Sequence, residues 1–217
     1  MSETINLLLV GTWQTIYMVV VSTFIATIFG VPLGVLLMVT DKGQILHNEP
    51  LNKMLGTIVN IFRSVPFVIL LIVLIPFTRL LVGKAIGTTA AIVPLSVAAI
   101  PFMGRLTETA LREVDRGVIE AAKAMGASPL QIITKVLVPE ALPSIAAGIT
   151  ITTINLVGYS AMAGVIGGGG LGDLAVRYGY QRFMLDIMLY TVAILVAMVQ
   201  LIQLIGDVLV KQLSKNR

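Results

Sequence analysis

Residues 4 to 40 carry no charged side chain. A helix rises about 1.5 Å per residue and crosses a hydrocarbon core in roughly 20 residues. The run is therefore too apolar for a soluble helix and too long for one perpendicular span. Gly11 and Trp13 suggest a division, with a short interfacial helix over residues 5–10 and a first span over about 15–40. Trp13 would mark the water boundary, where tryptophan is enriched. The first residues hold Glu3 and no basic segment, so no cleaved leader is expected.

The rest of the chain repeats this character. Of its 217 residues 57% are hydrophobic and 12% charged, about half the charge of a soluble domain, which places it among integral membrane proteins. Further spans are expected at about 54–78, 87–111, 141–166 and 187–206, giving an all-α, polytopic, single-domain protein with five transmembrane helices. The second contains Arg63, Pro66 and Pro76. Arg63 has two readings: a side chain near a span end that snorkels to the interface, or one that lines a polar path. The third is interrupted by Pro94 and Pro101. The fourth lies in a charge-free run, residues 141–172, rich in small and polar residues: Asn155, Gly158, Tyr159, Ser160, Gly164 and the four glycines 167–170. Small residues permit tight helix packing. They also suit an interrupted span beside a water-filled route, where irregular backbone is tolerated. On the second reading Asn155, Tyr159, Ser160 and Met162 are the candidate pathway residues, with Met162 as a flexible plug for an apolar constriction. A polar segment, residues 173–186, precedes the fifth span.

Lys and Arg distribute unevenly between the two ends of these spans. Eleven fall on the side holding loop 41–53, loop 112–140 and the C-terminal Lys211, Lys215 and Arg217; four (Arg79, Lys84, Arg177, Arg182) fall on the other. The positive-inside rule then puts the N-terminus outside and the C-terminus in the cytoplasm.

Loop 112–140 is the longest stretch in which charges recur every few residues. Asp115 has the character of a helix N-cap, and residues 116–125 form good helix apart from Gly117. Gly126 stands where a C-terminal glycine belongs, since it adopts positive φ without a Cβ clash. Ser128-Pro129 opens a second helix, serine as cap and proline at the first helical position. Pro139 and Pro143 punctuate its far end. A short helix, a corner and a return helix thus form a knob between two spans.

Chemistry is scarce. There is no cysteine, hence no disulfide framework and no cysteine-ligated metal. His47 is the only histidine and sits in a polar loop beside Asn48 and Glu49. No Walker A pattern occurs: Gly83-Lys84 is followed by Ala85, and the glycines 167–170 lack a following lysine, which makes them a hinge or packing element. No metal cluster or nucleophile elbow appears, no cofactor is implied, and no basic run is dense enough for nucleic acid. The chain does not read as an enzyme. A membrane protein with a charged knob and no energy-coupling chemistry takes its work from a partner, or is a passive channel or scaffold.

The knob's EAAKAMG, with Glu120, Ala121, Ala122, Met125 and Gly126, followed by VLVP ending at Pro139, resembles the EAA loop of ATP-binding-cassette importer permeases. Val136 and Val138 stand where that pattern has Ile and Leu. NIFRSVPFVILL (60–71) and LVGYSAMAGVIGGGGLGDLAVRYGY (156–180) are similar to the methionine-importer permeases, a five-span branch of that superfamily. The resemblance implies an inner-membrane homodimer with the pathway between protomers. It also implies two cytoplasmic ATPase subunits bound at the EAA loops and an external substrate-binding lipoprotein. It gives Glu120, Ala121, Ala122, Met125, Gly126 and Pro139 the role of ATPase coupling, with both alanines letting the helix press into a cleft of the ATPase.

Overall fold

In the computed structural model, residues 2 to 215 are described; Arg217 of the basic tail lies outside them. The described residues are helical with no strand. Among the described residues four helices are long and apolar enough to cross a membrane, five if a pair bent by 102° counts as one span.

Helix α1 (Ser2–Val39) is continuous, so the expected interfacial helix over 5–10 is not a separate element. Gly11 is a contact rather than a break: a Cβ there would meet the Leu174 side chain. Trp13 is exposed on the same unbroken helix. Thr12, Thr27 and Thr40 donate their hydroxyls to the carbonyl four residues back, which satisfies them in an apolar medium.

The second span is broken. Helix α2 (Glu49–Ser64) meets α3 (Phe67–Val73) at 102°, and α4 (Ile75–Val82) completes the crossing. Val65 is extended (φ −81°, ψ 124°), as expected of a residue before proline, so Pro66 ends α2 rather than merely kinking it. Helix α5 (Thr88–Arg112) keeps Pro94 and Pro101 inside one helix.

Helices α1 and α5 make the most extensive pairing. Gly30 and Gly34, four residues apart on α1, form its seam. A Cβ on Gly30 would lie 2.7 Å from the Met103 Cβ and 2.9 Å from the Ile100 carbonyl oxygen, and one on Gly34 would fall on Gly104 and Thr107. Small residues at that spacing let helix backbones approach closely in lipid.

Beyond a short helix, α6 (Arg116–Ala124), the chain runs without interruption from Pro129 to Val165. It comprises α7 (Pro129–Ile132), a π-helical turn over Ile133–Leu137 and α8 (Val138–Val165). Pro139 and Pro143 therefore do not close the return helix, which is the near end of the fourth span. The widened turn lies just before Pro139, whose ring would press on the carbonyl of residue i−4 in a regular helix.

The segment 173–186, expected as a polar connection, is mostly helical: α9 (Gly170–Leu174), then a π-helical stretch Ala175–Tyr180. It folds back on α8 as a hairpin with almost no gap. A Cβ at Gly172 would fall on the Ala161 backbone, and one at Gly168 would lie 2.7 Å from the Ala163 carbonyl oxygen. The glycines 167–170 are thus packing and turn positions, three of them at positive φ. Helix α10 (Leu185–Lys215) closes the bundle along α8.

The core has two parts. One gathers Met18, Phe67, Leu95 and Leu156. The other gathers Met103, Leu111, Ile119, Ala122, Ile132 and Leu137 beneath the knob.

Candidate functional site

The knob is built by local capping. The Asp115 carboxylate accepts from the Gly117 N–H at 2.6 Å and starts α6. At the other end the Ala127 N–H donates to the Ala122 carbonyl (3.1 Å) and the Gly126 N–H to the Lys123 carbonyl (2.9 Å), the paired bonds of a Schellman motif. Gly126 supplies its left-handed residue, φ +78°, and nothing lies within 4 Å of where its Cβ would be. Ser128 and Gln131 then form a capping box: the Ser128 N–H donates to Gln131 Oε1 at 2.8 Å and the Gln131 N–H to Ser128 Oγ at 3.4 Å. The corner between α6 and α7 is fixed by backbone chemistry within about a dozen residues.

The two faces of α6 differ. Ile119 and Ala122 are buried in the core beneath the knob, while Glu120 and Ala121 are exposed and Met125 and Leu130 are 82% and 69% exposed. Of the two alanines expected to press outward only Ala121 does so. Ala122 is 3% exposed and packs inward, because one residue is about 100° of helical rotation. Pro139 lies beyond the corner, exposed at the start of α8.

A charged chain ties this knob to the spans, and sequence reasoning missed it. Arg112, at the end of α5, donates to Asp41 (2.7 Å) in the α1–α2 loop and to Glu108 (2.8 Å). Glu108 also accepts from Arg105 at 2.6 Å, and Arg105 reaches across to Asn60 Oδ1 on α2 at 3.0 Å. Glu108 is 6% exposed, the bridging carboxylate between two guanidinium groups. The hydrogen bond from Arg112, followed by that from the Lys42 N–H, holds the Asp41 carboxyl below the usual carboxylate range. The available signal was the spacing of Arg105, Glu108 and Arg112, three and four residues apart on one helix face.

The expected pathway residues divide. Asn155 and Met162, seven residues apart on α8, are exposed on one face with Ile151, Gly158 and Val165. Ser160 turns to the opposite side, 1% exposed, with its hydroxyl donated to the Val157 carbonyl at 2.7 Å, so it does not join them. Tyr159 is half-buried and its ring stacks on Phe67 of α3, centroids 4.5 Å apart and 4° from parallel. That stack secures the break between α2 and α3 against the middle of α8.

At the far end of the bundle, polar side chains of α1 hold the hairpin. Gln14 Oε1 accepts from the Gly170 N–H (2.8 Å) and Thr15 Oγ1 from the Leu171 N–H (2.9 Å), which caps α9. Asp173, 6% exposed, is paired with Arg177.

Residues 30–217 match the family model described as binding-protein-dependent transport system inner membrane component. A probable D-methionine transport system permease protein MetI of Vibrio cholerae is 57% identical over 209 residues, covering 96% of this chain and 93% of that one. The D-methionine transport system permease protein MetI of Escherichia coli K12 is 56% identical over 165 residues, 76% of each chain. Among solved structures, a chain of the MetNI methionine ABC transporter in an inward-facing conformation superposes with a TM-score of 0.97 at 50% identity, covering 98% of this chain and 99% of that one. An amino acid ABC transporter with histidines shares the fold at a TM-score of 0.80 and 19% identity, over 97% of this chain and 96% of that one.

Proposed function

The chain belongs to the family of binding-protein-dependent transport system inner membrane components, and we propose that it is the permease subunit that carries methionine across the bacterial inner membrane in an ATP-driven importer. It is a multi-pass, all-helical permease and not an enzyme; ATP is hydrolysed on a separate subunit. The observation that carries the coupling is the shape of the knob. A short helix with an exposed face (Glu120, Ala121, Met125) is held at a fixed angle by a Schellman corner at Gly126 and footed in the core by Ile119 and Ala122. Glu120, Ala121, Met125 and Gly126 form the contact with the ATPase, Ala122 supports it from within, and Pro139 begins the span that receives the motion. The working unit has two permeases, two ATPase subunits and an external substrate-binding lipoprotein.

The positive charge gathered on the side of the knob supports an N-terminus outside and a C-terminus in the cytoplasm. The exposed face of α8 with Asn155 and Met162, flanked by Tyr159, lines the route between protomers; Ser160 supports it from behind. Uptake of radiolabelled methionine by vesicles holding the permease with its ATPase and binding protein tests the reading. ATP-dependent uptake is expected. Flux indifferent to ATP would indicate a passive channel instead, and no methionine uptake would remove the substrate assignment.

A further inference from the structure

The break in the second span gives Arg63 a setting that its position in the sequence does not suggest. Phe62, its neighbour, lines a crevice with Val97, Ile100 and Pro101 of α5. Phe67, just past the break, packs in the cluster of Ala91, Ile92 and Leu95. Arg63 thus follows Phe62, which faces α5 at residues 97–101, and stands one turn past Asn60, which accepts from Arg105. Arg63 is the last residue but one of α2, two before the extended Val65, and does not sit in a loop between spans.

Nor is it neutralised within the protomer. Arg105, Arg112 and Arg177 each hold a carboxylate. Arg63 is exposed and makes no ion pair or hydrogen bond among the described residues. It stands at the edge of a polar stripe on α2: Glu49, Lys53, Thr57, Asn60 and Ser64 recur at three- and four-residue spacing, all exposed. A helix with such a face lies along water rather than lipid, and an unpaired cation at membrane depth waits for an anion.

We infer that Arg63 is a binding residue in the translocation route that takes the carboxylate of the passing amino acid. The inference rests on the importer reading above. An amino-acid zwitterion crossing the bilayer must shed much of the water around its carboxylate, and a guanidinium along the route replaces that water with charge-assisted hydrogen bonds. The adjoining break leads directly into α3, whose Phe67 stacks on Tyr159, one turn from Asn155 on α8.

The test compares two solutes in the intact complex, permease with ATPase and binding protein in proteoliposomes: methionine and methioninamide, which lacks the carboxylate. The same binding protein serves every arm, so its own preference cancels between wild type and variant. Arg63→Gln is expected to lower methionine uptake roughly tenfold or more, the size of a lost charge-assisted hydrogen bond, and methioninamide uptake by less than about twofold. Arg63→Lys should retain much of the methionine uptake, and ATP hydrolysis stimulated by the binding protein should persist in both variants. Equal loss for both solutes, no loss for either, or failure of the Gln variant to assemble would each overturn the inference, the first and last by showing a structural role. The chain has no cysteine, so Arg63→Cys adds an independent readout. Modification by a water-soluble thiol reagent is expected, and a side chain that the reagent cannot reach would place residue 63 against lipid. Failure of the methionine reading itself would appear as absent uptake in the wild type. The comparison would then be repeated with another amino acid and its amide.

Discussion

Ala121 and Ala122 are consecutive in the chain and face opposite media: the first is exposed on the outer face of α6, the second is 3% exposed in the core beneath it. The same enlargement should therefore have different consequences at the two positions. Ala122→Leu would overpack against its neighbours and is expected to cost about 1–3 kcal/mol of permease stability, seen as a lower melting temperature of the purified chain. Ala121→Leu is expected to leave that temperature unchanged and to reduce co-purification of the ATPase.

Gly126 sits at φ +78° with open space around its missing Cβ. Gly126→Asp costs the permease only the left-handed conformation, about 1 kcal/mol for a residue that tolerates that region better than most. The chain should reach the membrane in normal amount, while the added charge at the corner keeps the ATPase from seating. Gly126→Asn, uncharged and also tolerant of positive φ, is expected to assemble far better. Equal co-purification of ATPase by wild type and the Asp variant would show that the corner does not meet the partner.

Glu108 holds Arg105 and Arg112 at 2.6 and 2.8 Å, at a site that excludes most water. Glu108→Ala takes from Arg105 its carboxylate and from Arg112 one of two, Asp41 remaining, and is expected to cost about 1–3 kcal/mol, the size of lost hydrogen bonds to a charged group. A thermal melt of the variant measures it.

The Asp41–Arg112 pair adds a pH dependence of defined sign. The Asp41 carboxyl titrates below its ordinary value of 3.8 in the folded chain because Arg112 and the Lys42 N–H hold it charged. Its contribution is fully present above that value and is lost as pH falls through the lower, folded one. Between about pH 5 and 8 the melting temperature should show no change from this group. Asp41→Asn should reproduce at neutral pH the loss that acid causes.

Gly172 and Gly158 give a matched pair on the two faces of the α8–α9 hairpin. A Cβ on Gly172 would fall on the Ala161 backbone, whereas nothing lies within 4 Å of one on Gly158. Gly172→Ala is expected to destabilise the protomer by at least about 1–3 kcal/mol, since backbone cannot give way as a side-chain tip can. Gly158→Ala should leave protomer stability unchanged, and any effect on uptake would report what passes along that face.

The parts of the fold written in local chemistry were readable from the sequence. Asp115, Gly126 and Ser128-Pro129 act as caps through bonds no more than five residues long, and they set the knob as expected. The start of α5 was equally plain, since Gly87 and the last charge, Lys84, lie just before Thr88. What could not be read was set by distant partners. Gly11 looks like a break until Leu174 is seen against it, and Pro139 looks like a terminator until the π-helical turn makes room for its ring. Ser160 looks like a pathway hydroxyl, but only its rotation on α8 turns it inward. The setting of Arg63 was hidden for the same reason: it stands just before a 102° break that Pro66 hints at and does not specify.

The unbroken run from Pro129 to Val165 joins the corner of the knob to the tight hairpin at the opposite surface. Its 37 residues make a rod about 55 Å long. Pivoted near its midpoint, such a rod works as a lever: a tilt of about 10° shifts each tip by about 5 Å in opposite directions. A modest push at one surface then arrives at the other as a displacement as large as an amino-acid side chain, so far as the π-helical turn and Pro143 do not bend to absorb it.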